Sequence, residues 1–467
     1  MKVVIVGGVA GGASAAARIR RLDEHAQIIM IERSSYVSYA NCGLPYYVGG
    51  AIKEQAELTL QTPESFWDRF RIDVRVRQEV TAINPAEKTV TVRALDSGKV
   101  YTETYDKLLL APGAKPTVPA LSGVSSERVF TLRTVEDTLR IRHFVEDQKP
   151  KTAVLAGGGF IGLEMAENLA EMGVSVTIVQ RPKQLLAPLD ADMASFVHAE
   201  MRRHGVALRL GETVTGFRQD GDSVLTMLED SAPLHSDMVL LAIGVTPDTH
   251  LAKEAGLTLG IRGSIAVNER METSVPDIYA VGDAIEYPHP LTGKPWLNYL
   301  ANPANRQGRI VADNMVFGNT VSYEGAIGTS IAKVFDMTVA STGLAAKRLK
   351  QWGMEYQSSV THSASHAGYY PDALPLTLKL TFHPKTGKLY GAQCIGYEGV
   401  DKRIDQIAGL IKRGGTSLRF DGDGAHVCAS FLLGQSTPIA IGGYVASNII
   451  SGVYACHLLA RAGRREG

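Results

Sequence analysis

The amino-acid sequence predicts an α/β protein with two Rossmann-like dinucleotide-binding domains and a C-terminal α+β domain. Glycine-rich turns near residues 7 and 157 support this fold class, because each one follows a short apolar strand and precedes a helical pattern. A strand, a glycine turn and a helix in this order form the βαβ unit that binds dinucleotides. From about residue 325 the texture changes to alternating strands, which are typical of an antiparallel sheet.

The first unit joins the apolar strand at residues 3–6 to an alanine-rich helix through a glycine turn. Gly7 permits the tight turn, and Gly12 allows the helix to pack closely on the strand, so that the helix N-terminus faces a pyrophosphate. Glu32 follows the next strand, where its carboxylate can accept hydrogen bonds from ribose hydroxyls. Val9 stands where the motif normally has its middle glycine, which is a departure from the pattern.

The second unit carries the full glycine pattern, Gly157, Gly159 and Gly162. The acidic residue expected at the end of its second strand is replaced by Gln180, and Arg181 follows. A carboxylate there would repel a 2′-phosphate, whereas an uncharged amide and an arginine would not. NADPH is therefore as plausible a ligand as NADH, although Arg181 can equally be a solvated loop charge.

Cys42 lies about thirty residues after the first glycine turn, in the run 38–47. A dithiol reductase would need a second cysteine within a few residues, and the chain has none there. A lone redox thiol must use a small-molecule sulfur, or an oxidised state of itself, as its partner. Two dinucleotide sites with this cysteine beside the first indicate a flavin, a nicotinamide nucleotide and a redox thiol in series.

The composition fits an enzyme of two to four domains, and it argues against several other functions. Lys+Arg and Asp+Glu number 48 each, so the bulk charge does not indicate nucleic-acid binding. The four scattered cysteines, Cys42, Cys394, Cys428 and Cys456, fit neither a disulfide framework nor a spaced metal site. No run reaches membrane-spanning length, so we expect no membrane partner and a cytoplasmic location. The balanced charge and the cysteine spacing lead us to expect no nucleic-acid partner and no metal.

Later strands indicate that one domain is split by the other. The apolar run 105–113 ends in a glycine turn and should return to the first sheet. A parallel piece follows at 236–247, and 273–284 gives another strand and a tight turn. Asp283 follows the last of these turns, and we expect it to bind flavin ribityl hydroxyls; the alternative role, a helix N-cap, is compatible with this one. The predicted domains are an FAD-binding domain at 1–115 and 245–322, an NAD(P)H-binding domain at 116–244, and a C-terminal domain at 323–467.

Four motifs together point to a known family. They are the cysteine run 38–47 and the segments 242–247, 279–283 and 303–308. Over residues 1 to about 415, and again at 443–448, the chain resembles the flavoprotein disulfide reductases with two dinucleotide-binding domains, specifically their single-cysteine branch. That branch includes coenzyme A-disulfide reductase, NADH peroxidase, NADH oxidase and CoA-dependent persulfide reductase. The resemblance implies FAD, NAD(P)H and a C-terminal dimerisation domain that forms a homodimer.

Ala10 helps to choose within this branch. Peroxidase and oxidase members carry a histidine at this position, beside the cysteine. The run from Asn41 to Tyr46 resembles CoA-disulfide reductase, which implies reduction of CoA disulfide or CoA persulfide through a mixed disulfide on Cys42. The alternatives are an O₂-reducing NADH oxidase and, in a different class, a flavin-bound redox sensor or degenerate scaffold.

The motifs and the resemblance together imply the remaining site residues. Tyr369 or Tyr370 would protonate the leaving thiolate, and Asn41 would orient Cys42. The expected substrate residues are Ser38 and Arg21. The expected FAD residues are Gly7, Gly11, Gly12, Glu32, Arg33, Val80, Gly113, Asp283 and Ala301. The expected NAD(P)H residues are Gly157, Gly159, Phe160, Gly162, Glu164, Gln180, Arg181 and Gly244, with Phe160 gating the nicotinamide.

One segment departs from the family pattern. A Tyr-Ala-Pro-Pro motif, whose tyrosine reaches the partner subunit's active site, should fall near residues 425–436, but the chain reads Ala-His-Val-Cys-Ala-Ser-Phe-Leu-Leu-Gly-Gln-Ser. An allowed codon string for these residues, read one base later, encodes His-Thr-Tyr-Ala-Pro-Pro-Phe-Ser-Ser-Ala-Lys. The family pattern resumes at Pro438, so we infer a pair of compensating frameshifts. Cys428, and Cys456 in the equally atypical tail, would then have no catalytic role.

Overall fold

The computed structural model describes residues 1–417 and 438–452. The chain divides into two compact units, Met1–Pro150 with Leu240–Ala326, and Lys151–Val239 with the residues that follow 326. The three-domain division predicted from the sequence is finer than these units and stays a prediction. The atypical segment, Cys428 and Cys456 lie outside the described residues.

The strands and helices up to residue 236 include two βαβ units, one at residues 2–31 and one at residues 152–180. In chain order they are β1 (Lys2–Val6), α1 (Ala10–Leu22), β2 (Gln27–Ile31), α2 (Leu44–Val48), α3 (Pro63–Phe70), β3 (Asp73–Arg75), β4 (Gln78–Asn84), β5 (Thr89–Ala94), β6 (Val100–Thr104), β7 (Lys107–Leu110), β8 (Ala114–Pro116), β9 (Val129–Thr131), α4 (Val135–Gln148), β10 (Thr152–Ala156), α5 (Phe160–Glu171), β11 (Ser175–Gln180), α6 (Ala191–Arg203), β12 (Ala207–Leu210), β13 (Val214–Asp220), β14 (Ser223–Leu228) and β15 (Leu234–Ser236).

Apart from β16 (Met238–Leu241), which pairs in the sheet of β10, β11 and β12, the later elements first complete the unit that contains β1 and then build the C-terminal sheet. They are β16 (Met238–Leu241), β17 (Val245–Pro247), α7 (His250–Glu254), β18 (Ile265–Ala266), β19 (Ile278–Ala280), β20 (Ile285–Pro288), β21 (Pro295–Trp296), α8 (Ala301–Phe317), β22 (Ser330–Val334), β23 (Met337–Gly343), α9 (Ala346–Gln351), β24 (Gln357–Ala364), β25 (Pro375–Phe382), β26 (Leu389–Gly396), α10 (Val400–Lys412) and α11 (Pro438–Ile450).

The first unit is built on a five-stranded sheet in the order β19-β7-β1-β2-β3, with every neighbouring pair parallel. The predicted return of β7 to this sheet is confirmed, and β19 also lies in it. β1 is the central strand, and its residues from Val3 to Ile5 are fully buried. Because the strands are parallel, their carboxyl ends share one edge, where a nucleotide binds in folds of this kind.

Helices α1 and α8 of the first unit cross at a pair of glycines. A Cβ atom placed on Gly308 of α8 would lie 2.4 Å from the carbonyl oxygen of Gly11 in α1. A Cβ on Gly11 would in turn lie 2.6 Å from the Val281 side chain. The backbones therefore approach more closely than any side chain would permit, which fixes the N-terminus of α1 against the sheet.

The second unit contains a parallel sheet and an antiparallel one. Strands β10, β11 and β12 pair in parallel, and β10 leads into the second glycine turn. The C-terminal sheet has the order β22-β23-β26-β25-β24 and is antiparallel throughout, as the alternating sequence predicted. β26 is buried along its whole length, so this sheet forms the core of the C-terminal part.

Among the described residues, no helix combines the length and the apolar character that crossing a bilayer requires.

Candidate active site

The first glycine turn has a backbone that admits no side chain at two of its positions. A Cβ on Gly7, whose φ is +99°, would lie 2.2 Å from the Ala111 carbonyl oxygen. A Cβ on Gly12 would lie 1.9 Å from the Gly7 carbonyl oxygen. Val9 has a φ of −101° and a ψ of −135°, so its φ lies outside the left-handed region that favours glycine.

Glu32 is held at the edge of the same turn by two backbone amides. Its Oε2 accepts a hydrogen bond from the Gly8 amide at 2.9 Å, and its Oε1 accepts one from the Ser34 amide at 2.9 Å. The side chain therefore has a fixed orientation beside the N-terminus of α1. A carboxylate in this position retains lone pairs for ribose hydroxyls.

Asp283 lies in a short ion pair that the sequence did not reveal. Nη2 of Arg133 donates to its Oδ2 at 2.7 Å, and the same nitrogen lies 3.5 Å from a Cβ placed on Gly113. Arg133 is itself fixed, since its backbone amide donates to Asp137 in the cap of α4 at 2.9 Å. The one sequence signal for Arg133 was the capping pattern that follows it, from Thr134 to Asp137.

The other expected FAD residues belong to the same unit but make different contacts. Arg33 forms an ion pair with Asp248 at 3.1 Å, Val80 is buried in β4, and Ala301 begins α8. The glycines that admit no Cβ and the oriented Glu32 carboxylate fit the pyrophosphate and ribose of FAD, and Asp283 adds an acceptor in the same unit.

Cys42 lies in a short turn that is tied directly to the first glycine turn. The Ser38 amide donates to the Gly8 carbonyl at 2.8 Å, and the Leu60 amide donates to the Ser38 carbonyl at 2.9 Å. Ser38 has a φ of +49°, so the chain bends sharply before it enters the 3₁₀ turn Asn41–Gly43. Cys42 itself is exposed to solvent, as a thiol that attacks an external sulfur must be.

The helix that follows Cys42, α2, is held at its C-terminal end by an arginine of α4. Nη1 of Arg142 donates to the carbonyls of Tyr47 and Val48 at 3.0 and 3.1 Å, which satisfies the C-terminal end of α2. Oδ1 of Asn41 is buried and has no hydrogen-bond partner in the described part of the chain. An unpaired buried acceptor is costly, so it marks a position where a ligand donor is expected.

The three arginines on α1 have different environments. Arg20 donates to five backbone carbonyls, those of Phe70, Asp23, Glu24, Ala26 and Arg71. Arg18 pairs with Asp313 at 2.8 Å. Arg21 is exposed, lies 5.2 Å from the Phe70 ring centre, and has no ion pair among the described residues. Of the three, Arg21 is available to bind an anion.

In the second glycine turn, Gln180 takes the position that Glu32 has in the first. Its Oε1 accepts from the Gly158 amide at 3.0 Å, and its Nε2 donates to the Gln184 carbonyl at 3.2 Å. No protein atom lies within 4 Å of a Cβ placed on Gly159, so the space above this glycine is open to a ligand. Arg181 is exposed and has no ion pair in the described segments of the chain.

The remaining nicotinamide-site predictions fall in both compact units. Gly157 has a φ of +117° and Gly162 is buried in α5, both in the unit that begins at residue 151. Phe160 opens α5 and is partly exposed. Gly244, with a φ of +114°, belongs to the other unit, where its carbonyl accepts from the Thr117 amide at 2.9 Å.

Glu164 is the one predicted site residue with a strongly shifted pKa. Burial, together with the nearby carboxylate of Glu167, raises the pKa of Glu164 to about 7. Glu167 is itself almost fully buried, accepts from the Phe335 amide at 2.7 Å and pairs with Lys333. Glu164 therefore changes its charge near neutral pH, as groups in active sites often do.

The predicted proton donors Tyr369 and Tyr370 lie on the loop between β24 and β25. Tyr369 is 77% exposed and Tyr370 is 46% exposed. The loop is closed at its base, since the Ser365 amide donates to the Leu374 carbonyl at 2.8 Å. The Tyr370 ring packs against His366 with ring centres 5.7 Å apart, so it has the more fixed position of the two.

Two other groups can be separated from the reaction. Cys394 is buried in β26, and burial raises the pKa of its thiol to about 12, so it is not a nucleophile.

Glu200, His204 and Asp336 bring ligand atoms within 4.8 Å of one another. Arg203 already donates to Glu200 at 2.6 Å, so a cation there would have to displace it.

The chain matches two family models. Residues 1–307 match the pyridine nucleotide-disulphide oxidoreductase model, and residues 329–426 match the dimerisation domain of the same family. A curated relative, the coenzyme A disulfide reductase of Staphylococcus aureus (strain JH9), is 35% identical over 407 residues, which are 87% of this chain and 91% of the relative.

Two solved structures have the same fold. Reduced Bacillus anthracis CoADR-RHD is 48% identical, with a TM-score of 0.93 over 97% of this chain and 81% of that one. A NAD-dependent persulfide reductase from A. fulgidus is 34% identical, with a TM-score of 0.93 over 97% of this chain and 84% of that one. The chain belongs to the pyridine nucleotide-disulphide oxidoreductase family.

Proposed function

We propose that this FAD- and NAD(P)H-dependent oxidoreductase reduces CoA disulfide or CoA persulfide through Cys42. The carrying observation is that the exposed Cys42 lies in a turn joined to the first glycine turn through the Ser38–Gly8 hydrogen bond of 2.8 Å. This contact supports a position for the thiol near the proposed flavin site. Similarity to a coenzyme A disulfide reductase and to a persulfide reductase supports the same substrate class.

The proposed chemistry at sulfur is a thiol–disulfide exchange. The Cys42 thiolate attacks one sulfur of the substrate, the substrate S–S bond breaks, and a mixed disulfide forms while one thiolate leaves. Tyr369 or Tyr370 donates the proton that the leaving thiolate needs. When bound, FAD supplies the two electrons, taken from NAD(P)H, that return the mixed disulfide to two thiols.

Two exposed arginines support a phosphorylated substrate. The guanidinium groups of Arg21 in α1 and Arg69 in α3 each lie 5.2 Å from the Phe70 ring centre. Guanidinium groups bind phosphate in the forked geometry that they also use for carboxylates. Coenzyme A carries phosphates, whereas its pantetheine part does not, and this difference provides the test.

The test compares acceptors under anaerobic conditions. Purified protein with FAD is given NADPH or NADH together with CoA disulfide, CoA persulfide, pantethine or no acceptor, and oxidation of the nucleotide is followed. We expect turnover with a CoA acceptor, and a higher KM for pantethine than for CoA disulfide. Equal specificity for pantethine and CoA disulfide would remove the phosphate-binding role, and no turnover with any sulfur acceptor would remove the proposed function.

The same assay in air distinguishes the alternatives. Consumption of NADH that requires O₂ and ignores CoA disulfide would identify an oxidase, although Ala10 stands where oxidases carry their histidine. Retained FAD without turnover under any condition would identify a redox sensor or scaffold. The family's dimerisation domain supports a homodimer.

A further inference from the structure

Asp190 precedes α6 but does not cap it. It occupies the N-cap position of α6, and its side chain accepts no hydrogen bond from that helix. Its two oxygens instead accept from the amides of Ala346 and Lys347, the first residues of α9, at 3.1 and 3.0 Å. The N-cap residue of α9 is Ala345, whose side chain has no acceptor. Asp190 therefore supplies the missing cap to a helix of the C-terminal part.

Two side chains of the C-terminal sheet converge on the same carboxylate. Lys379 of β25 and Gln393 of β26 are directly opposite each other in the sheet. Nζ of Lys379 lies 3.0 Å from the carboxylate of Asp190, and Nε2 of Gln393 donates to it at 2.7 Å. Oε1 of Gln393 accepts from the Asp190 amide at 2.8 Å. We call these three residues the Asp190 cluster.

The cluster lies in the interior of the second unit, and Lys379 also pairs with Asp192 at 2.8 Å. Asp190 is 5% exposed, and Lys379 and Gln393 are 2% exposed each. Although burial raises the pKa of Asp190, Lys379 and the α9 amides lower it below its ordinary value, so the carboxylate is charged. A buried ion pair is often no more stabilising than apolar residues of similar size, because desolvation offsets its attraction. What it provides is one fixed geometry.

That geometry fixes the segment 181–190, which packs on the second glycine turn. The Leu186 amide donates to the Gly158 carbonyl at 2.8 Å. A Cβ on Gly158 would lie 2.2 Å from the Leu185 side chain, so the segment lies directly against the turn. Its first end is held by Gln180, which bonds to both Gly158 and Gln184. Its last end is held by the Asp190 cluster.

We propose that the Asp190 cluster is a positioning site for the nicotinamide nucleotide, because it holds segment 181–190 against Gly158 and so sets the affinity for NAD(P)H. The inference rests on the assignment of this glycine turn to the nicotinamide nucleotide and not on the sulfur substrate. The cluster residues do not touch the turn themselves, and they act through the segment.

The test removes the charges of Asp190 and Lys379 and keeps the volumes. The double variant Asp190→Asn/Lys379→Met keeps an oxygen acceptor for the α9 amides and an unbranched chain at position 379. On the FAD-loaded protein, we expect the dissociation constants of NADP⁺ and NAD⁺, measured by calorimetry, to rise at least fivefold. The KM for the nucleotide in anaerobic flavin reduction should rise equally, while the thermal midpoint changes by less than about 4 °C, or about 1 kcal/mol. Unchanged dissociation constants would overturn the proposal, whatever the midpoint. Because the double variant also breaks the Lys379–Asp192 pair, Asp192→Asn is measured beside it as a control for that loss.

A matched control lies two residues along the same strand, on the same face of the sheet. The Thr381 hydroxyl donates to the carbonyls of Leu344 and Gly391 at 2.9 and 3.2 Å. Thr381→Val should leave nucleotide binding unchanged. An equal loss of affinity in this control would show that any weakening of the sheet has the same effect, and it would overturn a specific role for the cluster.

A milder variant covers the case in which the double variant fails to fold. Gln393→Met removes two hydrogen bonds to Asp190 and no charge, and it should weaken nucleotide binding in the same direction by a smaller factor. No weakening would overturn the proposal. Flavin reduction is measured without any sulfur acceptor, so a failure of the CoA assignment leaves this test intact.

Discussion

The side-chain oxygen of Gln180 accepts a hydrogen bond from the Gly158 amide at 3.0 Å. The first unit repeats this contact with a carboxylate, since Glu32 accepts from the Gly8 amide at 2.9 Å. The two turns thus have the same local geometry and differ in one negative charge. That charge sits where a ribose would bind, so it bears directly on the choice between NADH and NADPH.

Gln180→Glu should therefore shift nucleotide preference towards NADH. The new carboxylate can still accept from Gly158, as Glu32 does from Gly8, but it would repel a 2′-phosphate. We expect kcat/KM for NADPH to fall on the order of 10- to 100-fold, with a small change for NADH. Arg181→Ala should also lower kcat/KM for NADPH, although it introduces no negative charge, because it removes a cation that can attract the 2′-phosphate. A wild-type protein that already prefers NADH by about 100-fold would contradict this account of Gln180 and Arg181.

Cys42→Ser should abolish sulfur reduction and leave FAD bound. A serine oxygen cannot form the mixed disulfide, whereas the Ser38–Gly8 contact that holds the turn uses backbone atoms and is kept. Visible absorbance reports flavin content, and the anaerobic assay with CoA disulfide reports turnover. Near-native turnover in this variant would exclude Cys42 as the nucleophile.

Arg20→Ala should affect stability and Arg21→Ala should affect substrate binding, although the two residues are neighbours. Arg20 donates to five backbone carbonyls, so its loss should lower the free energy of unfolding by about 2–4 kcal/mol. Arg21 makes no such bonds, and its loss should raise the KM for CoA disulfide about tenfold and leave the KM for pantethine unchanged. The thermal midpoints of both variants and their KM values for CoA disulfide and pantethine test these two expectations. A raised KM for CoA disulfide in Arg20→Ala alone would contradict the assignment of phosphate binding to Arg21.

The raised pKa of Glu164 predicts a pH effect of defined sign. Its pKa is about 7 in the folded protein against 4.5 as the ordinary value. The folded state thus binds more protons between these values, and the contribution of Glu164 to stability is present below pH 4.5 and lost as the pH rises through 7. Glu164→Gln should be more stable than the wild type at pH 8, by up to about 3 kcal/mol, with no difference near pH 4. Thermal midpoints of both proteins between pH 4 and pH 8 test the sign. A variant that is stabilised more at pH 4 than at pH 8 would contradict the prediction.

Restoring the family sequence should increase turnover. Replacing residues 426–436, which lie outside the described residues, with His-Thr-Tyr-Ala-Pro-Pro-Phe-Ser-Ser-Ala-Lys supplies the tyrosine expected at the partner's active site. We expect at least a tenfold rise in CoA-disulfide turnover, since losing one general acid typically costs 10²–10⁴-fold. Flavin reduction should not change, because both glycine turns lie upstream. Equal turnover in the two chains would show that this tyrosine is dispensable.

Local sequence patterns were enough to predict the backbone of the candidate site. The two glycine turns, the strand ends at Glu32 and Gln180, and the exposed Cys42 lie where the spacing placed them. Val9 broke the expected pattern, and its φ of −101° lies outside the left-handed region that favours glycine. Each of these features depends on a few residues that are adjacent in the chain.

Contacts between distant residues could not be predicted in the same way. Arg133 and Asp283 are 150 residues apart, and their ion pair depends on how α4 is placed in the first unit. Arg20 and Arg21 are alike in sequence, and what separates them is the end of α3, whose carbonyls Arg20 binds. The pairing of Lys379 with Gln393 required the register of the C-terminal sheet.

The close contact of Gly11 with Gly308 constrains how this protein can change over evolution. The two glycines come from the two separate stretches of the first unit, 1–150 and 240–326, and neither position has room for a methyl group. A substitution at one of them cannot be compensated at the other, because both are already the smallest residue. These two stretches must therefore change together at this crossing, whereas residues 151–239, which lie between them in the chain, are not bound by this contact.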